Sequence, residues 1–165
     1  KSTGEVMGID YTFKAALAKA LMAAGLMLPP KGAILFSVAD RYKAEALPII
    51  KKFAALNYTI YATEGTAAMI EAVGLPVKMI SKKLHEGHPN IIDIINDGTL
   101  NGVVNTVTGD RVPLRDGFDI RRAAAEKRLP CFTSLDTARV AADALFGENV
   151  FNVQPLPDYR NKEPR

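Results

Sequence analysis

Ser37, Lys43, Thr63, Gly65, Thr66, Lys82, Lys83, Asn105, Thr106, Thr108, Thr133 and Ser134 stand at or just beyond the ends of short apolar runs. Almost all of them carry a hydroxyl, an amide or an ammonium group, and the one glycine leaves backbone N–H groups approachable. Such groups donate hydrogen bonds, and with backbone N–H groups at helix starts they provide what an anion requires. The set suits a phosphate or a carboxylate. Each member also has a plainer reading. Thr63 serves equally well as a helix N-cap, with Gly65 easing the turn. The lysines can be solvated, and Asn105 can satisfy loop backbone groups. Only their convergence at one edge favours a ligand.

Catalytic alternatives are weaker. His85 and His88 could form an acid–base pair, but "HEGHPN" reads as a loop with no nucleophile or third orienting group beside it. Asp93 and Asp97, at i,i+4, read as a polar helix face. Cys131 lies on an expected buried strand, where a cysteine is inert packing. Arg121 and Arg122 in "DIRRAAAEKR" could hold an anion, but the commoner arrangement puts such residues on the solvent side. "GAILFSVAD" lacks the glycines and the Lys-Ser/Thr ending of a phosphate-binding loop, and no G-x-G-x-x-G opens the first helix.

The elements that must position these residues alternate regularly. Helical patterns cover 10–26, with Asp10 or Thr12 as cap and Gly25 near the stop, then 40–56, 66–73, a stretch lined by Ile91, Ile92, Ile94 and Ile95, 118–128 and 135–146. Strand patterns cover 32–38, 58–63, 76–80, 101–107 and 130–134. Residues 81–90 and the polar "TGDRVPLRDG" read as loops. Strands alternating with helices predict a three-layer α/β fold: a doubly wound, mainly parallel sheet of about five strands flanked by helices, with right-handed crossovers. In such a sheet ligands bind beyond the carboxyl ends of the strands, which is where the donors gather.

Bulk properties limit the function classes. The chain has 165 residues, a formal charge of +3, one cysteine and two histidines. That is one domain's worth of chain. The dispersed basic residues give no stripe for nucleic acid. A lone cysteine excludes an intrachain disulfide framework and fits a reducing, cytoplasmic setting. The Cys and His residues lack metal-ligand spacing. The apolar stretch 15–28 contains Lys19 and is too short to span a bilayer. "KSTGEVMG" is not a signal peptide. The tail from 151 to 165 is proline-rich, charged and expected to be irregular.

The stretches "AILFSVADRYK", "YATEGTAAMI", "KLHEGHPNIIDIINDG", "VVNTVTG" and "DIRRAAAEKRLPCFTSLDTA" together resemble a methylglyoxal-synthase-like (MGS-like) domain. Within that superfamily they resemble the carboxyl-terminal allosteric domain of carbamoyl-phosphate synthase large chains. The leading "KSTGEVMGID" is similar to the passage from the second ATP-grasp half of such chains into the regulatory domain. The resemblance therefore implies a linker segment and helix at 1–29, the MGS-like domain at 30–150 and the tail beyond. It also implies that the chain begins at a fragment boundary. Methylglyoxal synthases use an aspartate in a Gly-Gly-Asp-Gln loop as base, and "KKLHEGHPNIIDII" has no such loop. A stand-alone lyase acting on dihydroxyacetone phosphate is the alternative. The purine-biosynthesis cyclohydrolases share the strand–helix junction but not the downstream loop.

Carried over by position, the resemblance implies an effector phosphate held by Ser37, Lys43, Thr63, Thr66, Lys83 and Asn105. The base and ribose would lie against Asn105, Val107, Asp116 and Ile120. The implied effector is UMP, with IMP as the alternative. Val107 stands where some members have a threonine, and the loop before Ile120 is one residue longer than in the enterobacterial pattern. Thr133 matches a threonine that contacts ornithine in some members. The implied domain is non-catalytic and holds no cofactor, whereas the parent ligase uses ATP with Mg or Mn. Implied partners are the nucleotide effector, the ATP-grasp halves of the same large chain and its glutaminase small subunit, with self-association left open. The implied pathways are pyrimidine and arginine biosynthesis.

Overall fold

The computed structural model describes residues 5–81, 89–106, 114–145 and 152–160, with the backbone alone at 114–116. Five strands, β1 (Ala33–Ser37), β2 (Thr59–Thr63), β3 (Lys78–Ile80), β4 (Gly102–Asn105) and β5 (Cys131–Phe132), form one sheet in the order β3-β2-β1-β4-β5. Every pairing is parallel. The order reverses at β1, so the crevice between the carboxyl ends of β1 and β4 is the switch point at which doubly wound sheets bind ligands.

Helices cover both faces, which is why β1 is apolar and buried along most of its length. Alternation along the strands sorts the core into two. Ile34, Phe36, Ile60, Ala62 and Val104 face α1 (Phe13–Ala24), α2 (Lys43–Ala55), α3 (Glu64–Ala72) and α6 (Leu135–Leu145). Leu35 and Val103 face α4 (Ile91–Asn96) and α5 (Leu114–Glu126). Phe53 of α2 centres the first core, with its ring edge-on to Phe36 at 5.9 Å and to Tyr58 at 5.2 Å. Burial pushes the Tyr58 hydroxyl up to about 12, and it donates to the Pro29 carbonyl.

Local chemistry accounts for the helix ends. Thr12 caps α1 by accepting from Ala15 N at 3.2 Å, and Gly25 ends the helix at φ 73°. That conformation favours glycine. Asp93, expected on a plain polar face, closes a capping box instead. Asn90 Oδ1 accepts from Ile92 N and Asp93 N, while Asp93 Oδ2 accepts from Asn90 N at 2.8 Å. Asp97 ends α4, and its Oδ1 accepts from Thr99 N.

One expectation needs correction. The polar loop expected through Gly117 ends earlier, because α5 begins at Leu114 and Asp116-Gly117 is helical. Within the expected 1–29 segment, α1 puts Ala18 and Leu21 into the same core as α2 and α6. In the tail, Leu156–Arg160 forms a 3-10 turn fastened to the start of α1.

That fastening is a polar clasp. The Asp10 carboxylate, with no side-chain exposure, pairs with Lys19 Nζ at 2.8 Å. It also accepts from Asn152 N and Asn152 Nδ2, both at 3.0 Å. Lys19 donates further to Tyr159 Oη at 3.0 Å, and the Tyr11 and Tyr159 rings lie 5.2 Å apart. The Lys19 ammonium, aided by Asn152, holds the Asp10 carboxyl well below the usual carboxylate range despite the opposing effect of burial. Asp10 in turn raises the Lys19 ammonium. A lowered carboxyl stabilises the fold fully above its unfolded value, about pH 4, and the contribution fades as pH falls towards the folded value. A raised ammonium loses its contribution only as pH climbs through the alkaline range. Protection of the 152–160 amides relative to their intrinsic exchange rates is therefore expected to hold from about pH 5 to pH 9 and to fall below about pH 4. Asp10→Asn should make the tail exchange quickly at neutral pH. Equal protection in the variant and the parent would show that the clasp does not hold the tail.

Candidate anion-binding site

The carboxyl ends of the three central strands place three polar side chains in one row. Ser37 pairs in register with Asn105, and Thr63 follows the Phe36–Ala62 pair by one residue. Strand alternation turns Ser37, Thr63 and Asn105 to the face covered by α4 and α5. All three are buried, at 6%, 7% and 3% exposure. A buried polar group without a partner is costly and rare in a native fold. Among the described residues, the hydroxyls of Ser37 and Thr63 have no hydrogen-bond partner, and neither does the amide nitrogen of Asn105.

Thr63 occupies the N-cap position of α3, but its side chain makes no capping bond. The plain capping reading therefore leaves its hydroxyl unused. The first-turn amides of α3 lack a side-chain cap, and the positive end of the helix dipole lies beside the row. Lys43, the first residue of α2, reaches the same point: a Cβ built on Gly65 would lie 2.9 Å from Lys43 Nζ. Lys43 also pairs with Asp40 at 2.7 Å, and its ammonium lowers the Asp40 carboxyl. Asp40 is almost fully exposed, so this pair is weak and an incoming anion can displace it.

Gly65→Ala tests the placement of Lys43. The added methyl meets only the flexible end of the lysine, and alanine favours a helix, so stability should hold or rise by up to about 1 kcal/mol. Phosphate affinity should fall several-fold as the ammonium is pushed aside. Thermal melting together with a phosphate titration reads both effects. Unchanged affinity would remove Lys43 from the site.

Other expected residues fare differently. Thr66, 1% exposed, comes to the same helix start, but its hydroxyl is engaged with Val38. It accepts from Val38 N at 3.3 Å and donates to Val38 O at 3.4 Å. These contacts fix α3 against the turn after β1 and hold Thr66 at the helix start beside the row. Ile120, expected at the effector base, is 1% exposed and packs in the core under α5. Lys82, Lys83, His85, His88, Val107 and Thr108 lie outside the described residues, as does the side chain of Asp116.

Thr133 is not part of the row. It lines a separate cleft of about 360 Å³ with Tyr42, Glu45, Thr106, Ser134, Leu135 and Asp136. Thr106 Oγ1 accepts from Ala39 N at 2.9 Å, joining the turns after β1 and β4, and Ser134 Oγ accepts from Asp136 N at the start of α6. Glu45 and Asp136 both pair with Arg139. Cys131 is partly buried, and burial pushes its thiol up, as an inert packing cysteine requires.

The sequence reading leaves Arg121 between holding an anion and the commoner solvent side; it donates from Nη1 to Asn105 Oδ1 at 2.8 Å. Gly117 makes room, since a Cβ there would lie 3.0 Å from Arg121 Nη1 and 3.3 Å from Asn105 Oδ1. A signal was present. Gly117, Ile120, Arg121 and Ala124 fall on one helical stripe, and three of them are buried.

With this geometry in view, comparison with known proteins is direct. The family model for the MGS-like domain matches residues 45–133, more than half of the chain. The carbamoyl phosphate synthase large chain of Thermomicrobium roseum is 47% identical over 164 residues, which is 99% of this chain and 15% of that protein. The chain thus spans about a seventh of its relative's length. Among the described residues no helix is long and apolar enough to cross a membrane. The five-stranded parallel sheet, the donor row at its switch point and the matched residues lead to one assignment: the chain belongs to the MGS-like domain family.

Proposed function

We propose that the chain is the regulatory domain of a carbamoyl-phosphate synthase large chain and that the strand-end row receives the phosphate of a nucleotide effector. One observation carries the reading. Among the described residues, Ser37, Thr63 and Asn105 are buried donors with unmet hydrogen-bonding capacity, at the switch point and beside an uncapped helix start and Lys43. UMP is the first choice of effector and IMP the second, with Lys83, Val107 and Asp116 as further contacts. The similarity to a large chain supports a place in an ATP-dependent ligase beside its ATP-grasp halves and glutaminase subunit. The setting is cytoplasmic, and the flux controlled feeds pyrimidine and arginine synthesis. The cleft at Thr133 is the proposed place for ornithine, whose amine would share the Glu45 and Asp136 carboxylates with Arg139.

Control requires differential affinity. The effector must bind one arrangement of the enzyme better than another, by roughly 1–3 kcal/mol for an ordinary allosteric coupling. Among the described residues the row itself contains donors and no carboxylate or imidazole, which suits holding a phosphate better than abstracting a proton. Calorimetric titration of the chain with UMP tests the proposal. A saturable heat that inorganic phosphate competes away is expected. No heat at millimolar nucleotide would overturn it, and turnover of dihydroxyacetone phosphate would replace it with a lyase.

A further inference from the structure

Asn105 is an ambiguous group by itself, because its amide presents an acceptor on one side and two donors on the other. An anion needs the donor side. Asn105 is buried at 3% exposure, so a fixed neighbour weighs most on which way its amide faces. That neighbour is Arg121, whose Nη1 lies 2.8 Å from Asn105 Oδ1. A guanidinium has donors and no acceptor, so it can bind only the oxygen of the amide. The nitrogen is thereby directed away from Arg121, with two protons and no acceptor among the described residues.

We propose that Arg121 is a positioning residue for the anion site, locking the Asn105 amide with its NH2 group presented to the ligand. The inference rests on the reading of the strand-end row as that site. Three features make the lock rigid. Asn105 is held in the sheet by its pairing with Ser37. Arg121 is held on α5, one turn after Gly117 and next to Ile120 in the core. Gly117 leaves the space in which guanidinium and amide meet, since a Cβ there would crowd Arg121 Nη1 at 3.0 Å and Asn105 Oδ1 at 3.3 Å. The device fixes a donor in advance, so binding need not reorganise it. The guanidinium charge also strengthens the bond it makes to the amide oxygen.

The test is a double-mutant cycle read by UMP calorimetry and by the Asn105 side-chain amide resonances in 15N NMR. In the parent chain those resonances are expected to shift on addition of UMP or inorganic phosphate. Arg121→Met should weaken UMP binding by about 10-fold, the size of one hydrogen bond to a charged group, and should abolish the shift. In an Asn105→Ala background the same substitution should change affinity by less than about twofold. Gly117→Ala is the second variant, chosen because alanine favours the helix and crowds only this pair. It too should weaken binding, and the effect should vanish with Asn105→Ala. Parent-like affinity in Arg121→Met, or an equal loss with and without Asn105, would overturn the positioning role. The latter result would make Arg121 a direct ligand. A parent chain that binds neither UMP nor phosphate would overturn the site reading, and this inference with it.

Discussion

Asn105→Asp is expected to abolish the proposed phosphate binding in a chain that stays folded. The two side chains have nearly the same shape, and Arg121 Nη1, 2.8 Å from Oδ1, keeps its acceptor. The new carboxylate is therefore paired rather than stranded. A buried pair of that kind is close to neutral for stability, because its attraction and its desolvation roughly offset. Ligand binding suffers twice. The amide donors disappear, which costs about 1.5–3 kcal/mol for a bond to a charged group. A negative charge also takes their place within a few ångströms of an anion, which costs up to about 4 kcal/mol at an effective dielectric constant of 20. Together these predict a loss of affinity of at least about 100-fold. UMP or phosphate titration beside a thermal melt separates the effects. Binding within about threefold of the parent would remove Asn105 from the ligand.

Phe53→Ala has the opposite profile. Phe53 is fully buried on α2 and touches Phe36 and Tyr58 edge-on, joining helix, sheet and the start of β2. Truncation removes ring contacts from three elements and leaves a cavity that a parallel sheet cannot collapse to fill, at a cost of about 3–5 kcal/mol. A domain of this size has roughly 5–15 kcal/mol in total, so the expected fall in Tm is on the order of 10 °C. Phe13→Ala is the control: Phe13 is 80% exposed, and its loss should cost no more than about 0.5 kcal/mol. Denaturant unfolding of both variants decides. A Phe53→Ala cost below about 1 kcal/mol would mean that this core is loosely packed.

The architecture was largely legible because its causes are local. The strand run "AILFS", the helix periodicities and the stops at Gly25 and "NDG" each act over a few residues. Parallel pairing followed from the alternation of strands and helices. Misreadings came where a distant contact overrode a local sign. Asp116-Gly117 reads as the end of a polar loop, but α5 runs through it, and the missing Cβ serves the Arg121–Asn105 contact instead. The tail reads as irregular, but Asp10 and Lys19, more than 130 residues earlier, tie down Asn152 and Tyr159.

The site divides along the same line. By itself the sequence determined that donors follow the strands, because strand ends and helix starts are written in nearby residues. The tertiary structure alone decided which donors are free. Thr63 and Thr66 are three residues apart in one motif, yet among the described residues the first leaves its hydroxyl unpaired and the second is engaged with Val38 on a neighbouring strand's turn. Arg121 and Arg122 are adjacent, yet one meets Asn105 and the other an exposed Glu126. A side chain's type states what it can donate, but burial and register state to whom. Those are properties of the packed sheet, fixed only when β1, β4 and α5 come together.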